Sequence, residues 1–196
     1  MRITGGAARS IVLSVPAYDL RPATDATRER LFNSIGPAIQ NATVIDCFAG
    51  TGAYGLEAIS RGAQSCLFID NHPQAIKTLE INIQKVCKSA QRTESVCSTR
   101  SDNLLSINVE SLPISDFIFF DPPYPLWDTH AQALWQLLNN LGHRMPSATL
   151  ALEFPSQLTL DPSCAWILTR TLTHPKGHNQ PCIALLQYQP TLPKQA

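Results

Sequence analysis

The sequence predicts an α/β fold with a doubly wound, mostly parallel sheet, on three observations. Short apolar runs alternate with stretches of helical period along most of the chain, as strand-helix-strand units do. The first strong run, Val44-Ile45-Asp46-Cys47-Phe48, enters a glycine-rich turn and then a helical stretch. The last two runs, Ala165 to Thr173 and Cys182 to Gln189, have no helix between them and read as an antiparallel hairpin closing the sheet.

Residues 2 to 15 hold two short strand candidates around Gly5-Gly6, a hairpin. Asp25 to Ile35 reads as a helix capped by Thr24 or Asp25. Strands are expected near 43–48, 65–70, 93–99, 116–120 and 148–154, with helices near 53–61, 73–87, 102–107 and 129–141. With the closing hairpin this makes a seven-stranded sheet. Residues 1–190 form a single domain, 1–36 being an N-terminal hairpin and helix extension, and 191–196 a frayed tail. There are no repeats or low-complexity segments.

At 196 residues, 44% hydrophobic and 15% charged, the chain is long and apolar enough to bury one core, which excludes a disordered protein. Its formal net charge of zero argues against holding nucleic acid through phosphates alone. Charge is uneven, though: within residues 1–30, Arg2, Arg9, Arg21, Arg28 and Arg30 outnumber Asp19, Asp25 and Glu29, which reads as a basic arm or a solvated mixed face. The six cysteines form no C-x-x-C pair and sit mostly in apolar runs, against metal binding and disulfides; Cys47 reads as core. The histidines lack a ligand spacing, His72 being a turn residue and His143 a helix C-terminal one. With no apolar leader and no spanning run, a cytoplasmic protein away from the membrane is expected.

Gly50, Gly52 and Gly55 fit G-x-G-x-x-G, where glycine allows a tight turn and close backbone approach to a ligand. Asp70 closes the next apolar run, about twenty residues after Gly50, where an acid can take both ribose hydroxyls of an adenosine. Asp46 precedes the loop, where it would repel the pyrophosphate of a dinucleotide. S-adenosylmethionine has no phosphate and carries an ammonium and a sulfonium, so it fits better. Read alone, Asp46 and Asp70 are equally ordinary strand-end and turn aspartates.

Asp121-Pro122-Pro123-Tyr124 closes the run Phe117-Ile118-Phe119-Phe120, which reads as a buried parallel strand. Paired prolines stop the strand and leave nearby carbonyls free to accept. An exocyclic amine offers two N–H donors, which the Asp121 carboxylate and the Pro122 carbonyl can receive while Tyr124 stacks on the ring. Trp127 borders the same pocket or starts a helix on the core.

The order Asp46-Cys-Phe-Ala-Gly50-Thr-Gly52, then Gly55-Leu-Glu57-Ala-Ile-Ser60-Arg61-Gly62-Ala63, then Asp121-Pro-Pro-Tyr124 resembles the bacterial RsmD family, which methylates the guanine N2 amine in small-subunit ribosomal RNA. Met1-Arg2-Ile3-Thr4-Gly5-Gly6 is similar to that family's opening, and Leu20-Arg21-Pro22-Ala23-Thr24-Asp25 with Arg28-Glu29 and Phe32-Asn33 to its most specific signature. The resemblance implies a Rossmann-like class I S-adenosylmethionine-dependent methyltransferase fold. It implies cofactor contacts from Asp46, Phe48, Ala49, Gly50, Thr51 and Gly52, ribose binding by Asp70, and adenine contact around Asp102 and Asn103. It further implies a catalytic pocket of Asp121, Pro122, Pro123 and Tyr124; from the uneven charge and the place of the tetrad, RNA contact is expected of Arg2, Arg9, Arg21, Arg28 and Trp127. The partner it implies is 16S ribosomal RNA, on this chain's weak charge within an assembling subunit, met by a monomer. Adenine N6, a protein glutamine, or a non-catalytic binding protein are the alternatives. The chain departs from the family at Ala7-Ala8-Arg9-Ser10, where only Arg9 is charged, and at Lys176-Gly177-His178-Asn179-Gln180-Pro181, which lacks an aromatic before its turn.

Overall fold

The computed structural model describes residues 1–16, 24–161, 163–173 and 181–190. Strands β1 (Thr43–Cys47), β2 (Ser65–Asp70), β3 (Cys97–Ser101), β4 (Phe117–Phe120), β5 (Thr149–Pro155), β6 (Trp166–Thr171) and β7 (Pro181–Tyr188) form one sheet in the order β3-β2-β1-β4-β5-β7-β6. The first five run parallel, and β7 lies antiparallel to both β5 and β6. The closing hairpin expected from the sequence is therefore present, with its second strand inserted beside β5.

Helices cover both faces, which is why β4 reads as an unbroken apolar run. All four β4 residues are buried. Phe117 and Phe119 face a core built with α1 (Asp25–Ile35), α2 (Ala53–Ser60) and α3 (Pro73–Ala90) through Leu31, Phe32, Leu56, Leu79 and Ile83. Ile118 and Phe120 face a second core under α4 (Tyr124–Arg144), with Leu134, Leu138 and Leu141. Thr24 caps α1 by accepting from the Thr27 amide, at 3.2 Å.

Three elements differ from the sequence reading. The helix expected near 102–107 is instead a pair of 3-10 turns, Leu104–Ser106 and Val109–Ser111. Asn103 and Asn108 each accept the amide two residues on, at 3.0 and 3.1 Å, and this local bonding competes with a continuing helix. The third strand begins at Cys97, because Glu94–Val96 coils into a 3-10 turn. The fourth helix starts at Tyr124, directly after the prolines, and bends at His130 (φ −136°, ψ 26°), where Thr129 Oγ1 donates to the Pro125 carbonyl at 2.8 Å.

The N-terminal hairpin shrinks to a single antiparallel bridge between Arg2 and Val12. What holds this arm is tertiary. Glu57 in α2, wholly buried, accepts from the Thr4 amide (2.8 Å), the Thr4 hydroxyl (2.7 Å), the Gly5 amide (2.8 Å) and Arg61 Nε (2.8 Å). Ser60 donates to the Gly5 carbonyl at 2.6 Å and accepts from the Ala8 amide at 2.9 Å. Gly6 passes over the end of α2 at φ +76°, so close that a Cβ would overlap the Ser60 carbonyl. Farther along, buried Asn82 of α3 holds Ser14 from both sides, at 2.8 and 2.9 Å, and also donates to the Thr51 carbonyl at 2.9 Å.

Candidate active site

β1 lies inside the sheet beside its central strand β4, and its Cys47 pairs with Ile69 of β2 on one side and Phe120 of β4 on the other. The loops that leave these strands diverge at this switch point, where open α/β sheets bind ligands. The candidate site is built here, from the carboxyl ends of β1, β2, β4 and β5.

The loop after β1 is forced into a tight path. Phe48, Gly50 and Gly52 have φ of +59°, +54° and +78°, a left-handed region that strains only the phenylalanine. The Gly50 amide donates to Asp70 Oδ2 at 2.8 Å and the Ala49 amide to the Ile69 carbonyl at 3.0 Å, tying the loop to the end of β2. Gly55 has another role: a Cβ there would overlap the Phe68 ring and Cys66 Sγ, so its hydrogen lets α2 lie against β2.

The acids expected around the ligand come together. Asp70 is half-buried, its Oδ1 accepting from the His72 amide at 2.8 Å while Oδ2 holds Gly50. Asp46 is 2% exposed and accepts the Gly55 amide at 2.8 Å, which satisfies an N–H in the first turn of α2 that has no partner within the helix. Burial, with the Asp70 charge adding, pushes the Asp46 carboxyl up to about 8. Asp102 is joined to the site through its amide, which donates to the Asp70 carbonyl at 3.1 Å. Its carboxylate pairs with Arg100 Nη2 at 2.7 Å, and the Asn103 side chain caps the following turn, so the edges left for a ligand here are largely backbone.

The Asp121 tetrad bridges β4 and α4. Asp121 is partly exposed, Pro122 is buried and Pro123 is the exposed N-cap, with Tyr124 half-buried as the first helical residue. The Pro123 carbonyl accepts from the Leu126 amide at 2.8 Å. No described residue donates to the Pro122 carbonyl, so Asp121 and Pro122 present adjacent acceptors. Burial pushes the Asp121 carboxyl well up, and the charges of Glu153 and Asp46 add to it. Cys47 is buried, and desolvation drives its thiol pKa far up, leaving no thiolate for a covalent adduct.

The sequence reading overlooked Glu153, the last acid on the site. It is 6% exposed near the end of β5, and Tyr54 of α2 donates to its Oε2 at 2.5 Å. A signal was present: Leu150-Ala151-Leu152-Glu153 is an apolar run ended by an acid, as are the runs closed by Asp70 and Asp121. The helical acid Glu57 and the amide of Asn82 carried no such signal, because the arm residues they hold, Thr4, Gly5 and Ser14, lie more than fifty residues away.

Two of the expected RNA-contacting residues are buried. Arg28 is fully buried, donating to the Arg2 carbonyl at 2.5 Å and to Asp25 Oδ1 at 2.7 Å, so its guanidinium anchors the arm to α1 and does not face a phosphate. Trp127 is 3% exposed and packs on Trp135 with ring centroids 5.0 Å apart, making it core under α4. Arg2 and Arg9 are exposed, Arg2 lying 3.5 Å from Asp25, and Arg21 lies outside the described residues, as does 191–196. Among the described residues no cluster of His, Cys, Asp and Glu suits a metal ion, and no helix is long and apolar enough to cross a membrane.

The donor set fits a cation with an adenosyl group. Asp46, Asp70, Asp121 and Glu153 converge with Arg28 as the basic side chain behind Glu153, and the loop backbone is already tied down by Asp70. A pyrophosphate beside these acids would make their ionisation costlier still, whereas a cation lowers that cost.

Comparison with known proteins agrees with the architecture. Residues 1–184 match the family described as Conserved hypothetical protein 95. The Escherichia coli (strain K12) protein named Ribosomal RNA small subunit methyltransferase D is 36% identical over 125 residues, 63% of this chain and 60% of that one. In that alignment the chain spans about three fifths of its relative. The Haemophilus influenzae protein of the same name is 30% identical over 174 residues, 88% of each chain. Among solved structures, yhhF from Escherichia coli superposes with a TM-score of 0.75 at 30% identity, over 96% of this chain and 98% of that one. With its class I methyltransferase sheet and a family match across nearly its whole length, the chain belongs to the Conserved hypothetical protein 95 family, the RsmD family that its motifs resemble.

Proposed function

We propose that this chain transfers a methyl group from S-adenosylmethionine to the exocyclic N2 amine of a guanine in small-subunit (16S) ribosomal RNA. The observation that carries it is the pair of adjacent acceptors, Asp121 and the Pro122 carbonyl, at the carboxyl edge of β4 beside a glycine loop ringed by acids. When bound, the cofactor supplies an electrophilic methyl on a sulfonium. Asp70 holds the ribose and Asp46 faces the methionine ammonium. Asp121 and Pro122 receive the two N2 hydrogens, which fixes the amine plane and aims its lone pair, so that orientation supplies much of the rate. A paired guanine cannot reach this pocket, so the base is looped or flipped, and Tyr124 at the mouth replaces its lost stacking. With zero net charge, the chain acts as a cytoplasmic monomer on RNA within an assembling subunit, whose surface supplies contacts its own charge does not.

The test incubates the protein with radiolabelled S-adenosylmethionine and, in separate arms, protein-free 16S RNA, partly assembled small subunits, DNA and protein. Label is expected at guanine N2 in the subunit arm, with Asp121→Ala losing most transfer while cofactor affinity holds, since Asp121 acts on the incoming amine. Label on adenine or glutamine, or wild-type transfer by Asp121→Ala, would remove this reading.

A further inference from the structure

We propose that Glu153 is a positioning residue acting through Asp121, making Asp121 the acceptor of the proton that leaves the methylated amine. The inference rests on the methyl-transfer reading and deepens it.

The placement comes from strand register. Phe120 of β4 pairs with Leu152 of β5, so Asp121 and Glu153 are the next pair outward. Residues opposite one another on parallel strands share a face, and successive residues alternate. Phe119 and Ala151 belong to the core beneath α1 to α3, so Asp121 and Glu153 lie on that same side. Tyr54 fixes the second acid, its ring stacked on Phe119 at 5.6 Å between centroids and its hydroxyl donating to Glu153 Oε2 at 2.5 Å. Oε1 receives no hydrogen bond from any described residue. Two carboxyls paired in register hold one negative charge more readily than two.

The facing groups decide where that charge sits. Glu153 accepts from Tyr54 of α2 and lies within the field of Arg28 of α1, its charge reaches Asp121 beyond the end of β4 and Cys182 of β7, and Asp121 also feels the charge of Asp46 of β1. Burial drives both acids toward the neutral form, but the Arg28 guanidinium and the Tyr54 hydroxyl favour ionised Glu153. Asp121 has the opposite surroundings, two further acids. The negative charge therefore rests on Glu153 and the proton on Asp121 until a cation binds nearby. Ligand charge then favours ionised Asp121, which receives an N2 hydrogen. In the transfer the N2 lone pair forms the bond to the methyl carbon, the carbon-sulfur pair stays on sulfur, and one N2 proton passes to the Asp121 carboxylate, returning its bonding pair to nitrogen. With the sulfonium charge gone, Glu153 restores the high proton affinity of Asp121 at the moment it is needed. The exposed side of Asp121 then releases the proton to water.

The test compares wild type, Glu153→Gln and Glu153→Asp. Methyl transfer to small subunits is followed against pH at saturating cofactor, and protons released on S-adenosylmethionine binding are counted by calorimetry in buffers of different ionisation enthalpy. Glutamine keeps the acceptor for Tyr54 and removes the charge. The acid limb of the rate profile should move to lower pH by about one unit, with fewer protons released on binding, and aspartate should return both toward wild type. A residue that merely supports the fold would lower rate or yield without moving the limb, and an unmoved limb in a variant that binds cofactor normally overturns the proposal. Should Glu153→Gln fail to fold, isotope-edited infrared spectra of the wild type decide: an Asp121 carboxylic acid band that vanishes on cofactor binding is expected, and its absence overturns the inference. Wild type that never labels guanine removes the functional reading as well, whereas wild-type labelling with an unmoved limb removes this inference alone.

Discussion

Replacing Glu57 by Gln tests whether the N-terminal arm is held by one buried carboxylate. Oε1 receives the Thr4 hydroxyl, the Gly5 amide and Arg61 Nε, and Oε2 receives the Thr4 amide. A glutamine oxygen can replace Oε1, but its NH2 then faces the Thr4 N–H, donor against donor. Hydrogen bonds to a charged acceptor contribute about 1.5–3 kcal/mol each and neutral ones about 0.5–1.5, so weakening three by about 1 kcal/mol each costs about 3 kcal/mol before the reversed contact is counted. Arg61, 18% exposed over the Phe32 ring at 5.2 Å, recovers a little by hydration. In a domain of this size about 3 kcal/mol lowers the melting midpoint by roughly 6–12 °C. The assay is calorimetric melting together with hydrogen exchange at the Thr4, Gly5 and Ala8 amides, which should become fast. An unchanged midpoint with unchanged exchange would refute the reasoning, and faster exchange at an unchanged midpoint would show that the arm detaches without loosening the core.

Three other outcomes follow from the site. Asp46 has a folded pKa raised from 3.8 to about 8, so the stability it contributes is present below the unfolded value and is lost as pH rises through about 8; the ligand-free melting midpoint should carry this decline, while S-adenosylmethionine affinity, which needs ionised Asp46, should rise over the same window, and calorimetry across pH checks both. Gly55→Ala drives a methyl into Phe68 and Cys66 and should cost about 1–3 kcal/mol by overpacking, measured by denaturant unfolding; an unchanged midpoint would mean that α2 can lift off β2 freely. Tyr124→Ala should weaken substrate binding by roughly 1–3 kcal/mol, the loss of one stacked base, with Tyr124→Phe nearly silent in the same transfer assay.

The parts of this architecture that were legible in the sequence are those encoded locally. A buried parallel strand must be apolar throughout and must stop before the cleft, so β1, β2 and β4 and the polar residues after them could be read directly from their runs. The glycine loop could be read because its backbone conformations exclude most side chains. The failures have one physical origin, competition from partners distant in sequence or from side-chain bonds that leave no periodic trace. Asn103 and Asn108 bond their own backbone and stop a helix that composition allowed. Arg28 looks like a surface cation until its partners, Asp25 and the Arg2 carbonyl, are seen to close around it. The insertion of β7 beside β5 follows from no local preference, and with it the burial of Glu153, opposite Ile183, escaped notice.

The anchoring of the arm has a consequence for how the chain is made. Residues 1–16 leave the ribosome before their docking partners exist: Thr4 and Gly5 wait for Glu57, and Ser14 waits for Asn82, 68 positions later. Until then Ile3, Ala8 and Leu13, all buried at completion, travel uncovered. A segment synthesised before α2 and α3 is thus among the later ones to lock. It closes over α2 and α3 once they have formed, and through Asn82 it meets the Thr51 carbonyl of the glycine loop. A nascent chain stalled before residue 82 would hold the loop sequence complete yet lack the Asn82 bond to Thr51, leaving that turn more open to proteases than in the finished molecule.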